Sequence, residues 1–275
     1  MQENPLSKFY RQPKIYISLP SQGTFYPPNT INGDPRNLPV YGMTAMDEIM
    51  FKTPDALFTG EAVVQVIQSC IPAIKDAWLI PQIDIDSILI ALRIATYGEM
   101  MPLEHKCSNC GQYNDVELDL PRILDSYQSL SYNSALKCGE LTINFRPLTY
   151  KQQTQVALRT YQLQRKLYQV SKTEDEEEKN KSLNDATKEI NQIQFSSFKS
   201  CIYSIEVDNT VVTDPTCIDD WFQNTDKTYY DKIKKHLLNI RDEWALKAQP
   251  VECTECKHVD KVEIGFDNSN FFGNP

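Results

Sequence analysis

The chain contains 275 residues, of which 41% are hydrophobic and 24% are charged, and its formal net charge at pH 7 is −9. This length and composition indicate a globular protein with one large domain or two small ones. The acidic balance argues against a general affinity for nucleic acid, because phosphates require clustered Lys and Arg, and it favours a protein partner. No run approaches the roughly 18 apolar residues of a membrane span, so no membrane insertion is expected.

The first residues lack the basic region and apolar stretch of a secretory signal, so we expect synthesis and initial folding in the cytosol. Thiols stay reduced in that compartment. Four cysteines stand mostly in apolar sequence contexts and are expected to be reduced and buried. They are Cys70, Cys138, Cys201 and Cys217.

Residues 1–40 are rich in Pro, Asn and Gly and predict an extended N-terminal arm. Its one strand candidate is 14–19, and the following segment, 20–28, combines a turn, an aromatic pair and a rigid extended exit. Such an arm cannot form a core alone. Two alternatives are open: the arm lies on its own domain, or it extends to a neighbouring protein.

Residues 41–100 predict a small helical bundle, with helices at 45–52, 54–60, 61–71 and 88–97. Thr44 and Asp47 form a variant of the capping box before the first helix, and Asp84 or Asp86 is expected to cap the last one. Several carboxylates here could be interpreted as catalytic, but helix caps and solvated first turns explain them more simply. They are Asp47, Glu48, Asp55, Asp84 and Asp86.

Two Cys-x-x-Cys pairs, Cys107 with Cys110 and Cys253 with Cys256, carry the strongest chemical signal. Four thiolates are the number that closes a tetrahedral structural zinc site with no open position. Each pair precedes a strand-like alternation of apolar residues, as in a zinc ribbon. We therefore predict a split zinc-ribbon-like unit that holds a structural Zn2+. Its two segments are 101–125 and 248–275.

The distance between the pairs in sequence leaves alternatives open. About 140 residues separate them, far more than the roughly 12 to 20 of a compact zinc module. Redox pairs, disulfides or coincidence are possible instead, although a catalytic dithiol usually opens a helix in a βαβ context and neither pair does. A catalytic zinc is disfavoured because four thiolates leave no position for water. His105 and His258 flank the pairs and could replace a thiolate, but flanking polar residues are the simpler interpretation.

Residues 126–247 predict a helical insertion. A strand at 141–148 precedes a long helix capped by Thr149, an acidic run at 174–181 interrupts the apolar pattern, and heptad-like spacing then resumes through Ile205. Two antiparallel helices joined at the acidic run are expected, with a single long helix as the alternative. The predicted fold class is therefore α+β, mainly α: a helical N-terminal domain, the split four-cysteine site and a long helical hairpin insertion.

The rest of the insertion predicts a tight turn at 207–212, a short helix that starts after Asp219 and Asp220, and an amphipathic helix at 229–247. After the second cysteine pair the chain contains an aromatic tail, 266–272. Adjacent aromatic side chains need burial, either against their own domain or in the pocket of a partner.

A dense, ordered series of short motifs runs through the first half of the chain. They are LPSQGTFYP at 19–27, MTAMDEI at 43–49, KTPDAL at 52–57, GEA at 60–62, IQSCIP at 67–72, DID at 84–86 and RIATYG at 93–98. In their order and density these motifs resemble the T4-type phage baseplate protein family. The specific signal lies in residues 10–125, and the resemblance is looser over the second cysteine pair and the aromatic tail.

The resemblance implies a non-enzymatic structural or assembly protein of the baseplate hub in a contractile-tailed phage, with no catalytic residues. Such a protein would be assembled in the host cytoplasm, reside in the tail baseplate of the virion, and contact other baseplate or hub proteins in multiple copies. One alternative is a hub-associated peptidoglycan hydrolase, which needs paired carboxylates in a cleft or a zinc with an open position. A zinc-ribbon nucleic-acid-binding protein is a further alternative, which the acidic balance disfavours.

Overall fold

The computed structural model describes residues 4–53, 59–170, 176–208 and 210–263. Within these residues the chain forms eight α-helices and ten strands, with 50% of the residues helical and 21% in strands. The fold is therefore mixed α+β. Contacts divide the chain into two compact units, Met1–Ser131 with Trp244–Pro275, and Tyr132–Glu243. No helix in the described ranges is both long enough and apolar enough to cross a bilayer.

The helices are α1 (Ala45–Phe51), α2 (Glu61–Cys70), α3 (Gln82–Tyr97), α4 (Leu120–Gln128), α5 (Tyr150–Val170), α6 (Glu176–Cys201), α7 (Pro215–Asn224) and α8 (Lys227–Trp244). The strands are β1 (Pro13–Ile17), β2 (Leu38–Tyr41), β3 (Met100–Lys106), β4 (Tyr113–Asp119), β5 (Ala135–Cys138), β6 (Leu141–Phe145), β7 (Ile202–Val207), β8 (Thr210–Val212), β9 (Gln249–Glu252) and β10 (Val259–Val262). They pair as three antiparallel hairpins, β1–β2, β3–β4 and β9–β10, and as one four-stranded sheet in the order β5-β6-β7-β8.

The N-terminal arm contributes to the core of the first unit. β1 pairs antiparallel with β2, and Ile17 and Leu19 are each only 1% exposed. Arg11 fixes the segment before β1, because its guanidinium donates to the backbone carbonyl oxygens of Gly42 (2.8 Å) and Ser69 (2.7 Å). Of the two alternatives for the arm, the part from Arg11 onward therefore lies on its own unit.

Helix α1 begins at the predicted capping box. Thr44 Oγ1 accepts the backbone N–H of Asp47 (3.2 Å), and Asp47 Oδ2 accepts the backbone N–H of Thr44 (2.7 Å). The same carboxylate accepts the hydroxyl of Ser69 on α2 (3.1 Å) and lies 3.4 Å from the Arg11 guanidinium. The cap thus also joins α1, α2 and the arm. The second predicted helix, at 54–60, falls mostly outside the described residues.

Helix α3 is the central element of the first unit, with 12 of its 16 residues buried. The prediction that Asp84 or Asp86 caps this helix is wrong, because α3 already begins at Gln82. Asp84 lies in the first turn and accepts both the backbone N–H (2.8 Å) and the hydroxyl of Ser21. Asp86 accepts the hydroxyl of Tyr127 on α4 at 3.3 Å. Both carboxylates bind distant segments to α3, which local capping patterns do not report.

The second unit contains a strand where the sequence predicted continued helix. Helix α6 ends at Cys201, and β7 starts at the next residue and pairs with both β6 and β8. Ile202 and Ile205, which extended the heptad-like pattern, are buried in this sheet. β-Branched side chains favour a strand where partner strands exist. Periodicity alone does not detect those partners, and β5 was not predicted either.

Helices α5 and α6 pack antiparallel, as the hairpin alternative predicts. Residues 152–159 of α5 line one cavity with 193–200 of α6, and residues 159–162 line the next one with 189–196. This reversed order excludes a single continuous helix. Thr149 caps α5, since Thr149 Oγ1 accepts the backbone N–H of Gln152 (3.3 Å). Residues 171–175, in the predicted acidic connection, lie outside the described ranges.

Helix α7 starts earlier than predicted. It begins at Pro215, and the carboxylate of Asp214 accepts the backbone N–H of Thr216 at 2.7 Å. An Asp cap followed by Pro at the first helical position is a strong helix start, so the prediction at Asp219 and Asp220 is wrong. The amphipathic helix α8 is confirmed, and its buried residues in the second unit include Ile233, Leu237 and Ile240.

Three of the four cysteines outside the pairs are buried as expected, but Cys217 is exposed. Cys217 lies on α7, where the next residue, Ile218, and Phe222 form the buried side. Because neighbouring positions on a helix face different directions, Cys217 points away from that side. The aromatic tail predicted at 266–272 lies outside the described residues.

Asp84 provides a pH-dependent test of the first core. Burial raises the pKa of Asp84 from 3.8 to about 6, even though the Ser21 hydrogen bonds lower it. The folded state therefore holds this proton more tightly than the unfolded chain, so stability is lost as the pH rises from about 4 through about 6. Urea unfolding should show that the free energy of unfolding of the wild type falls by up to about 3 kcal/mol over this pH range, relative to that of Asp84→Asn, whose side chain cannot ionise. A pH-independent difference between the two proteins would contradict this expectation.

Candidate metal centre

Two β-hairpins of the first unit bring the predicted cysteine pairs together. The turn between β3 and β4 contains Cys107 and Cys110, and the turn between β9 and β10 contains Cys253 and Cys256. Both hairpins belong to the same compact unit, although their sequences lie on either side of the second unit. Strand pairing thus fixes each Cys-x-x-Cys segment as a short turn, as the sequence predicts.

The two turns have the same backbone hydrogen bonds. In the first, the N–H of Cys107 donates to the carbonyl of Gln112 (2.8 Å), and the N–H of Gly111 donates to the carbonyl of Cys107 (3.0 Å). In the second, the N–H of Cys253 donates to the carbonyl of His258 (2.8 Å), and the N–H of Lys257 donates to the carbonyl of Cys253 (3.1 Å). Each turn therefore has the closed shape of a metal-binding knuckle.

All four sulfurs lie within 4.8 Å of one another. Cys107 Sγ is 3.7 Å from Cys256 Sγ, and Cys110 Sγ is 3.6 Å from Cys253 Sγ. A tetrahedral centre with metal–sulfur bonds of about 2.3 Å places its sulfurs about 3.8 Å apart. A disulfide requires about 2.05 Å. The spacing is compatible with a four-thiolate metal site, and it does not correspond to disulfides.

Amide side chains of the first hairpin donate to sulfurs of the second. Asn109 Nδ2 lies 3.5 Å from Cys256 Sγ, and Asn114 Nδ2 lies 3.6 Å from Cys253 Sγ. The pKa of Cys253 is lowered to about 6, and the hydrogen bond from the backbone N–H of Cys256 makes the largest contribution to this shift. The pKa of Cys256 is also lowered, and the hydrogen bond from the Asn109 side-chain amide makes the largest contribution. Both thiols therefore favour the thiolate form that a metal requires.

The thiol of Cys110 shows the opposite shift. The backbone N–H of Gln112 lowers its pKa, but desolvation and the three neighbouring thiols outweigh this contact and raise the pKa to about 12. Sulfurs at this spacing cannot all be anionic without a compensating cation, so one of them retains its proton. A divalent cation would take the place of such protons.

The flanking histidines contact Asp260 on β10. Its carboxylate lies 2.8 Å from His105 Nε2 and 3.4 Å from His258 Nε2, and it accepts the backbone N–H (3.0 Å) and the hydroxyl of Ser108. These contacts, the Ser108 hydroxyl first, hold the pKa of Asp260 well below its usual range. In the described residues the clustered ligand atoms come from cysteines alone, so neither histidine replaces a sulfur.

Sequence reasoning did not identify Ser108, Asn109, Asn114 or Asp260 as parts of the site. A signal was present: both hairpins carry Ser or Thr one position after the first cysteine, and Asn or Asp seven positions after it. Polar residues at alternate positions of a strand are normally assigned to a solvated face. Asn114 is instead buried, at 3% exposure.

The family described as T4 bacteriophage base plate protein matches residues 42–273. The match covers most of the chain, so the protein belongs to this family, and the resemblance seen in the sequence is confirmed. The match includes the second unit, where the sequence motifs were sparse, and the second cysteine pair, where the resemblance was looser, and it begins after the turn at 19–27. No curated protein and no solved structure gives a significant match.

Family membership indicates a structural protein of a phage baseplate, which is located in the tail of the virion and interacts with other phage structural proteins. A structural family is consistent with a protein that is not an enzyme. The four clustered cysteines are compatible with a metal site in such a protein.

The residue after the second cysteine tests the shape of both turns. Gly111 and Lys257 occupy this position, and both have left-handed backbones, with φ of 75° and 60°. Only glycine adopts this conformation without a cost of about 1–2 kcal/mol. Gly111→Ala should therefore lower the free energy of unfolding and Lys257→Gly should raise it, each by about 1 kcal/mol, as measured by urea unfolding. A Cβ on Gly111 would meet no atom closer than 3.8 Å, so a steric clash is not the cause. Changes of the same sign would contradict the matched geometry.

Proposed function

We propose that this chain is a non-enzymatic structural or assembly protein of the baseplate hub of a T4-like contractile-tailed phage, and that a structural zinc clamp holds it together. The zinc clamp is defined as Cys107, Cys110, Cys253 and Cys256. The observation that carries the proposal is the convergence of these four sulfurs in a chain of the baseplate family. The protein acts through contacts with neighbouring baseplate or hub proteins, in multiple copies, after assembly in the host cytoplasm.

The chemistry of the clamp favours zinc in a structural role. Four thiolates in tetrahedral arrangement select zinc or iron–sulfur chemistry over hard cations, and isolated four-cysteine sites of paired knuckles typically hold Zn2+. A metal bound by four sulfurs has no open position for water, so it does not activate a nucleophile. Its contribution is to the free energy of folding.

The clamp joins the C-terminal hairpin to the helical part of the first unit. β3 follows α3 after two residues, and β4 leads directly into α4. Met101 and Leu118, on facing positions of β3 and β4, are buried, as is Val251 of β9. Closing a long loop restricts the unfolded chain more than closing a short one, so a metal at this position stabilises the fold strongly.

Exposed apolar side chains near the N-terminus provide a surface for contacts with neighbours. Leu6, Phe9 and Tyr10 are 62%, 74% and 59% exposed, and Met46 and Ile49 of α1 are also exposed. Exposed apolar side chains that form a contiguous patch mark interaction sites, and we propose that these residues form such a patch. In an assembly with repeated subunits, individually modest contacts of this kind add up through multivalency.

Metal content tests the clamp directly. Elemental analysis of the purified chain should find about one zinc per chain, and a thiol titration should show four protected cysteines that become reactive after chelation. A chain without metal, in which the four cysteines of the clamp react before any chelation, would overturn the clamp and leave family membership as the only support for the proposal.

Removal of one ligand should have a large effect. Cys107→Ser or Cys256→Ser should release the metal and lower the free energy of unfolding by several kcal/mol, because apparent zinc-binding energies of about 10–16 kcal/mol are coupled to folding. Thermal unfolding and elemental analysis measure both effects. Cys217→Ser is the matched control, since this thiol is exposed and lies in the other unit. Ligand variants that keep their zinc and melt like the control would show that the site is wrong.

Two N-terminal deletions separate assembly from folding. Removal of residues 1–9 deletes exposed apolar groups and should leave a folded chain that copurifies poorly with baseplates. Removal of residues 1–28 also deletes Arg11, Ile17 and Leu19, so it should prevent stable folding. Circular dichroism and copurification with tails distinguish the two effects. Normal copurification of the shorter deletion with tails would contradict the proposed surface.

The non-enzymatic role has its own test. A clear zone from the intact chain on a peptidoglycan zymogram would contradict it.

A further inference from the structure

The two hairpins of the metal centre correspond residue by residue. Counted from the first cysteine of each turn, the cross-strand pair His105–Asn114 corresponds to Val251–Asp260, and the pairs on either side correspond in the same way. Asn114 and Asp260 therefore occupy equivalent positions, seven residues after Cys107 and Cys253 respectively. The hairpins are two copies of one local structure with different sequences.

The equivalent residues make reciprocal contacts between the hairpins. Asp260 accepts the backbone N–H and the hydroxyl of Ser108, which follows the first cysteine of the other hairpin. Asn114 Oδ1 accepts the backbone N–H and the hydroxyl of Thr254, both at 2.9 Å, and Thr254 again follows the first cysteine of the opposite hairpin. We call these two pairs, Ser108–Asp260 and Thr254–Asn114, the latches.

We propose that Asn114 and Asp260 are positioning residues of the metal centre, which hold each turn against the opposite hairpin and so keep the four sulfurs at the spacing that retains the metal. This inference rests on the proposed zinc clamp. When one turn moves away from the other, its sulfurs leave the metal, and such a movement breaks a latch. Groups that orient metal ligands in this way typically change affinity about 10- to 100-fold when they are removed.

The two latches differ in what they require of the side chain. Asp260 accepts the backbone N–H of Ser108 with Oδ2 and its hydroxyl with Oδ1. An Asn keeps the first bond through its oxygen and can replace the second by donating from its amide nitrogen to the Ser108 hydroxyl oxygen. Asn114 uses both ends of its amide: Oδ1 accepts from Thr254, while Nδ2 donates to the carbonyl of Gln112 (3.1 Å) and to Cys253 Sγ (3.6 Å). An Asp at this position would lose both donated bonds and place a negative charge next to a thiolate. The conservative exchanges therefore have different expected effects.

The experiment measures the rate at which zinc passes from the full-length, zinc-loaded chain to excess chromophoric chelator. Asn114→Leu and Asp260→Ala should release zinc about 10- to 100-fold faster than wild type. Asp115→Ala and Lys261→Ala are the matched controls, because these residues are exposed and follow Asn114 and Asp260 on the same strands. Both controls should release zinc at the wild-type rate.

The conservative variants separate positioning from general damage to the fold. Asp260→Asn should keep release close to the wild-type rate, whereas Asn114→Asp should accelerate it, although each exchange preserves size. These two variants decide the question if Asn114→Leu does not fold. Wild-type release rates in Asn114→Asp and Asp260→Ala would overturn the positioning role and leave the zinc clamp intact. A wild-type chain that binds no zinc would overturn the clamp itself, and this inference with it.

Discussion

Four thiolates within 4.8 Å of one another would be a concentration of negative charge that a protein does not maintain without compensation. The opposite pKa shifts of Cys253 and Cys110 express this constraint, since some thiols favour the anion and another retains its proton. A bound divalent cation would remove this repulsion, because all four sulfurs would be attracted to it. The proposed clamp would join the two hairpins into one part of the first unit.

The first unit surrounds this centre with contacts of a different kind. Its helical part depends on buried polar groups that join distant segments: Asp84 binds the loop at Ser21, and Asp47 joins α1, α2 and Arg11. The carboxylates of Asp47 and Asp84 therefore have a structural role in these contacts. A unit held by such contacts, and by the proposed metal site, would present fixed surfaces, which suits a structural component of a baseplate.

Local patterns predicted the features that depend on neighbouring residues. The capping box at Thr44, the knuckles, the turn between β7 and β8 and the stripe of α8 were all found where the sequence indicates them. Two of the errors share one cause. Ile202 and Ile205 fit a helical repeat, but partner strands from other parts of the chain place them in a sheet. Asp84 fits a helix cap, but a distant loop uses its carboxylate.

The sequence by itself determined the candidate ligands, because a Cys-x-x-Cys pair specifies a turn whose two sulfurs can reach one metal. It also determined the family, through the order of short motifs in the first half of the chain. Only the tertiary structure decided that both pairs meet, that the histidines contact Asp260, and that Asn114 and Asp260 bind opposite hairpins. The physical reason is separation along the chain: these contacts join residues 140 to 155 positions apart, and no local propensity encodes such a pairing.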